Sequence, residues 1–249
     1  MTRLIFKNLM RTKETIIFLC FSLFPVLLPI AAQFNTKFMQ FRGEKGSTDC
    51  LSFFGAVLNV NYQTILPMIV LIYLVVSSFY VEARDGTLFL YKDISRRKIF
   101  MAKVAALTGV VAVYVALLFV VSAAVYYLYM IHQPYASGTF LPIDADTAQS
   151  AAFDIVGTIF AMLLCVLVAS VASQRFGVGI TMLVAILYIL VSQIAPLLDT
   201  LRYFLPNAYS ALAVTLGFAL AMGAAATLFI VYSAVLLVWG NHAYKTLEY

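Results

Sequence analysis

The chain reads as an all-α membrane protein: a six-transmembrane-helix bundle preceded by a short helix lying in the membrane interface. Three observations predict it. Hydrophobic residues make up 63% of the 249 residues and charged residues 11%, with a mean hydropathy of +0.98. Ordinary soluble domains are nearer half apolar and a quarter charged. A chain of this length holds about six apolar runs of roughly 20 residues, the number needed to cross a bilayer each time. Charge is also gathered into short segments. Residues 82–103 carry six of the 16 Lys and Arg, whereas the stretch from Val104 to Ile143 contains no Asp, Glu, Lys or Arg. Residues 1–249 therefore form a single transmembrane domain.

Residues 3–13 begin the pattern. On a helix, Ile5, Phe6, Leu9 and Met10 share one face and Arg3, Lys7, Asn8 and Arg11 the other, as in a helix lying on a membrane surface. The first span, 15–34, contains Pro25 and Pro29, each expected to bend it by removing a backbone donor and crowding the preceding turn. It follows a basic N-terminus, as a signal peptide does, but is longer than a usual h-region and lacks an A-x-A-like site, so it reads as a retained span. Residues 35–50 are polar. An apolar shoulder at 51–58 then leads into the second span, 64–81. The third span, 99–131, would reach roughly 45–50 Å at 1.5 Å per residue, so it is expected to tilt or project from the membrane. The fourth span is placed at 151–172 and the fifth at 176–195. Residues 196–211 are amphipathic, too short to cross and return, and fit an interfacial hairpin or an outer re-entrant one. The sixth span follows at 212–239.

Counting Lys and Arg on alternate sides gives 12 on the side of the termini and four opposite. The positive-inside rule then places both termini in the cytoplasm of a multi-pass cell-membrane protein. It also explains the pI of 9.1 without a nucleic-acid partner. Cys20, Cys50 and Cys165 lack the close spacing of a metal site and read as packing residues.

The segment between spans two and three carries the functional signal. Asp85 can cap a short helix over 86–92, and Ser95 can cap the third span. Arg96, Arg97 and Lys98 then fall in that helix's first turn, where the dipole disfavours cations. Anionic lipid headgroups, each worth roughly 1 kcal/mol per basic residue, or a protein partner must favour them there.

The residues Glu82-Ala83-Arg84-Asp85-Gly86-Thr87-Leu88, then Ile94-Ser95-Arg96-Arg97-Lys98-Ile99 and Lys103, resemble the second-to-third-span loop of type-two ATP-binding-cassette (ABC) exporter permeases. That family shows a Glu, a Gly-Thr pair, an apolar-Ser-Arg step and a Lys at the base of the third span. The positions here are Glu82, Gly86, Thr87, Leu88, Ser95, Arg96 and Lys103. Lys92-Asp93 and Ala102 depart from it, where an apolar-Pro pair and Gly are common. The resemblance implies a coupling helix docked on an ATPase subunit, an interfacial helix before the first span and a re-entrant segment before the sixth. No G-x-x-x-x-G-K-[ST] loop is present to cradle a nucleotide. ATP and Mg are therefore expected on a separate ABC ATPase chain in two copies, beside a second permease copy, either identical or related. Such a permease binds no cofactor itself and is not an enzyme. Some members of the family serve antimicrobial-peptide export or self-protection.

The alternative is a non-transporting membrane protein, either an immunity or sensor partner or a small intramembrane enzyme. An enzyme needs ionisable groups among the spans. His132 and His242 lie near interfaces, and Asp154 is placed in the first turn of the fourth span, where a carboxylate is ordinary helix chemistry. Without mid-span charge, a path between two copies suits an amphipathic or hydrophobic cargo such as a peptide, lipid or drug. Ala219 and Gly223 form a small-residue step suited to close packing. Tyr126, Tyr127, Tyr129 and Trp239 read as interfacial belts. In the segment before the sixth span, Pro196 and Pro206 break helicity, and Asp199 and Arg202 can face each other across one turn. With Asn207, they are expected at the outer headgroups, capping the exit of a dimer's central path.

Overall fold

The computed structural model describes residues 2–34, 46–81, 95–210 and 212–245. Among them the fold is helical, with one isolated bridge, Thr48 to Ala136, and no strand. In chain order the helices are α1 (Thr2–Leu9), α2 (Lys13–Cys20), α3 (Leu27–Gln33), α4 (Cys50–Gln63), α5 (Leu66–Val76), α6 (Arg96–Leu128), α7 (Ala145–Ala172), α8 (Val178–Ile194), α9 (Ala213–Leu216) and α10 (Phe218–Lys245). Among the described residues five helical stretches are long and apolar enough to cross a membrane. A sixth arises if α4 and the stretch from Leu66 to Tyr80 count as one bent span. This is a multi-pass membrane protein.

The amphipathic start forms as α1. Leu9 is buried, Ile5, Phe6 and Met10 pack on the core, and α1 lies against α6. Phe6 is seated on Gly109, where an added Cβ would be 3.0 Å from the ring. In the first span, Thr12 caps α2 by accepting from Thr15 N, and Pro25 falls in a 3₁₀ segment, Phe21–Val26, that joins α2 to α3. The 3₁₀ turn accommodates a proline ring that an α-helical interior would not.

Helix α7 is central, packing against α4, α5, α6, α8 and α10. Some 67% of its most apolar window is buried, against 11% for α10. Small residues allow this approach: Gly157, Ala161, Ala169 and Ser170 are all buried, and the Ser170 hydroxyl donates to Val166 O at 2.7 Å. Inside a bilayer, such close packing replaces the hydrophobic driving force.

Several expectations change. The shoulder at 51–58 is part of a full helix, α4, capped by Asp49, whose carboxylate accepts from Ser52 N at 2.8 Å. It meets the second span at a 65° bend. The fourth span begins at Ala145, six residues before the expected start, because its first two turns are polar but still helical. The sixth runs Phe218–Lys245. The step at Gly223 has no atom within 4 Å of an added Cβ, so it does not pack within the chain. Ala221 and Ala225 are buried instead, in a cluster with Phe153 and Tyr209. Cys50 and Cys165 are buried, but Cys20 is exposed on the outer face of its helix. Tyr126 is no belt residue: fully buried, it donates to Thr48 O at 3.0 Å and accepts from Gly138 N at 3.1 Å. It thereby fastens two loops at the end of the bundle away from residues 82–94.

Candidate functional site at the base of the 82–94 segment

Glu82, Arg84, Asp85, Gly86, Thr87 and Leu88, and with them the expected coupling helix, lie outside the described residues. The structure does show what carries them. On the incoming side, α5 ends in a π-helical turn, Ser77–Val81. A π-turn displaces backbone carbonyls from the regular i→i+4 ladder. Here Ser78 O accepts from the ammonium of Lys103, about two turns into α6. Lys103 is 2% exposed, and its ammonium also lies 5.4 Å from the centre of the Phe79 ring. A cation buried at this depth is tolerable only with such partners.

Aromatic rings extend the contact. Phe79, Phe100 and Tyr244 form a triangle with centroid separations of 5.7, 5.8 and 6.2 Å. All three are buried. Ring pairs at such spacing contribute about 0.5–1.5 kcal/mol each beyond their buried area. The triangle ties both flanks of the segment to the end of α10. Gly240, one turn before Tyr244, lets α10 approach, since an added Cβ would meet Phe100 Cζ at 2.6 Å. Nearby, the guanidinium of Arg175, in the turn between α7 and α8, sits 5.7 Å from the Trp239 ring. Trp239 thus has a specific neighbour beyond its expected place in a belt. The single characters in the sequence that mark this assembly, Phe79, Phe100, and Gly240 with Tyr244, come from three separated places.

Ser95 occupies the N-cap of α6 but makes no side-chain capping bond. Its own carbonyl accepts from Lys98 N at 2.9 Å, so the amide a serine cap would bind is already used. Arg96 is half-buried, while Arg97 and Lys98 are exposed and make no ion pair among the described residues. Two exposed cations therefore stand at the start of α6, beside the buried platform.

A second polar constellation lies at the opposite end. The segment after α8 folds as three 3₁₀ turns, Ala195–Leu197, Leu201–Tyr203 and Pro206–Ser210, the last packed on α7 and α10. Asp199 and Arg202 pair at 3.2 Å, with the Asp199 side chain 93% exposed, so the pair contributes under about 1 kcal/mol. Pro206 is buried. Asn207 donates from Nδ2 to Ser192 O at 2.9 Å, and the Ser192 and Tyr62 hydroxyls share a hydrogen bond of 2.7 Å. Gly157 permits this docking, because an added Cβ would lie 3.2 Å from Asn207 Cα.

These groups border a cavity of about 630 Å³ whose wall includes Tyr62, Asp154, Thr158, Ser192 and Asn207. Asp154 sits in the third turn of α7, since the helix starts at Ala145. The favourable field of a helix N-terminus fades within the first turn, so the first-turn reading of this carboxylate does not hold. Among the described residues no group of three His, Cys, Asp or Glu could hold a metal ion. No family model matches this chain, and neither the curated proteins nor the solved structures compared with it give a match.

Proposed function

We propose that this chain is the permease subunit of an ABC exporter, forming the cargo path while a separate ATPase hydrolyses ATP with Mg. The observation that carries this reading is the platform of Lys103, Ser78, Phe79, Phe100 and Tyr244 beneath the 82–94 segment. A loop that receives force from a partner needs a stiff base connected to the spans, and this base joins the second, third and last spans. The loop's resemblance to exporter coupling loops and the cations Arg97 and Lys98 support the same role. Two ATPase copies and a second permease copy complete the assembly, with both termini cytoplasmic and an amphipathic cargo. The segment containing Asp199, Arg202, Pro206 and Asn207 caps the outer exit.

Reversing charge at Arg96 and Arg97 tests the coupling. The double Glu variant should insert and fold normally yet lose most of its recovery with the ATPase, or its cargo-stimulated hydrolysis. Full stimulated hydrolysis in a well-expressed double variant would exclude this role. Orientation has its own test. A single cysteine at Asp199 should label readily from the outside of intact cells with an impermeant thiol reagent, and one at Asn207 more slowly because that residue is half-buried. Labelling from the cytoplasmic side alone would invert the topology and remove the exit cap.

A further inference from the structure

We infer that the cavity beside Asp154 is a binding site for the primary ammonium group of an amphipathic amine. Asp154 is half-buried on α7, lines the cavity, and forms no ion pair or hydrogen bond among the described residues. Among the described residues no Lys or Arg lines the same space. A carboxylate drawn away from bulk water without a partner is costly, and in a membrane protein such a group ordinarily serves a ligand or ion.

The neighbouring groups narrow the chemistry. Asn207 must present Nδ2 to Ser192 O, because a carbonyl can only accept. Its Oδ1 is therefore an acceptor, and it is buried with no partner. That oxygen is shut from solvent behind the wall, so the charged acceptor that the cavity itself presents is the Asp154 carboxylate. An ammonium group carries three donors and no acceptor. A metal ion fits less well, since the described residues bring one carboxylate to the wall and the volume of about 630 Å³ is that of an organic-ligand pocket. The rim supplies the second half of the specificity. Ile194 and Leu197 line the cavity and are 48% and 82% exposed, so an alkyl chain leaving the polar floor meets apolar surface. The ammonium sits by Asp154 and the chain lies along the end of α8.

The site refines the amphipathic cargo of the proposed exporter, and rests on that reading only for the guest's being cargo. Binding needs no ATPase, so its failure and the failure of the coupling role are separable. Two sources supply the same group: the headgroup of phosphatidylethanolamine, or a soluble amphipathic amine.

The test uses the full chain with its three cysteines replaced and one introduced as Ser210→Cys on the cavity wall, in nanodiscs of phosphatidylcholine alone. Modification rates are compared for aminoethyl and sulfonatoethyl methanethiosulfonate. The cation-to-anion rate ratio should fall roughly tenfold in Asp154→Asn, the size expected of one nearby partly solvated charge, and recover in Asp154→Glu. In the Asp154 chain, dodecylamine should slow modification while dodecanol does not, a comparison that needs no variant at the carboxylate. Protection on adding phosphatidylethanolamine identifies a lipid headgroup as occupant. Protection by dodecylamine without an effect of phosphatidylethanolamine identifies a soluble amine. A rate ratio unchanged in Asp154→Asn, or equal effects of dodecylamine and dodecanol, would overturn the assignment.

Discussion

Lys103→Met is expected to lower the thermal unfolding midpoint of the solubilised chain by several degrees and to abolish stimulation of the proposed ATPase partner. The substitution keeps length and most of the packing but removes the donor to Ser78 O. A hydrogen bond to a charged group is worth about 1.5–3 kcal/mol, and a buried acceptor left without its donor carries the desolvation cost. For a chain of 150–250 residues, each kcal/mol moves the midpoint by roughly 2–4 °C. The displaced carbonyls of the π-turn would lose their anchor, and the two flanks of the 82–94 segment would no longer move together. An unchanged midpoint with undiminished stimulation would show that the ammonium holds neither the turn nor the coupling.

The second large effect lies on α10 and comes as a pair of opposite sign. Gly240→Ala places a methyl group 2.6 Å from Phe100 Cζ and 3.1 Å from Val171 Cγ2. Phe100 is fully buried between Phe79 and Tyr244, so its ring has little room to withdraw. Overpacking of this kind costs about 1–3 kcal/mol, and the strain would fall on the joint between the last span and the loop base. Gly223→Ala, on the same helix, meets no atom within 4 Å. It should stabilise by about 0.5–1 kcal/mol through helix propensity alone. Thermal unfolding of the two variants side by side checks both signs. Equal shifts would mean that the approach of α10 at Gly240 is not close.

Hydropathy and amphipathic pattern made much of the bundle legible. Apolar runs located the candidate spans, with the fourth and sixth off by six residues, and the alternation of Ile5, Phe6 and Leu9 with Arg3 and Lys7 gave α1 its buried face. The pattern failed where helices continue through polar sequence. The first turns of α7, with Asp146, Gln149 and Ser150, read as loop by hydropathy, and this misplaced Asp154 by two turns. It failed again where backbone geometry has no compositional sign. The bend between α4 and α5 falls at Ile65, without the Gly or Asn that usually marks a left-handed residue; only Pro67, in the first turn of α5, hinted at a helix start. The base of the loop was half legible. Lys103 stood out as a charge bordering a long neutral stretch, but its acceptor is a main-chain carbonyl that no residue type announces. Phe79, Phe100 and Tyr244 are three among 35 Phe and Tyr, and only the fold selects them.

The bend at Ile65 has a consequence for the surrounding lipid. Ile65 has φ 64°, and Leu66 N donates to Thr64 O at 2.7 Å across it, a tight turn that is uncommon and strained for a β-branched residue. Because α4 leaves at 65°, only residues 66–81 continue along the second span, and at 1.5 Å per residue they rise about 24 Å. The hydrocarbon layer is about 30 Å thick. Such a shortfall would call for thinning of the bilayer on that flank, at a fraction of a kcal/mol per Å, or for straightening of the bend. Thinning brings headgroups and water down toward Tyr62 and the cavity beside it. Straightening would draw Tyr62 away from Ser192. A change in bilayer thickness would therefore bear on that cavity through a single strained residue.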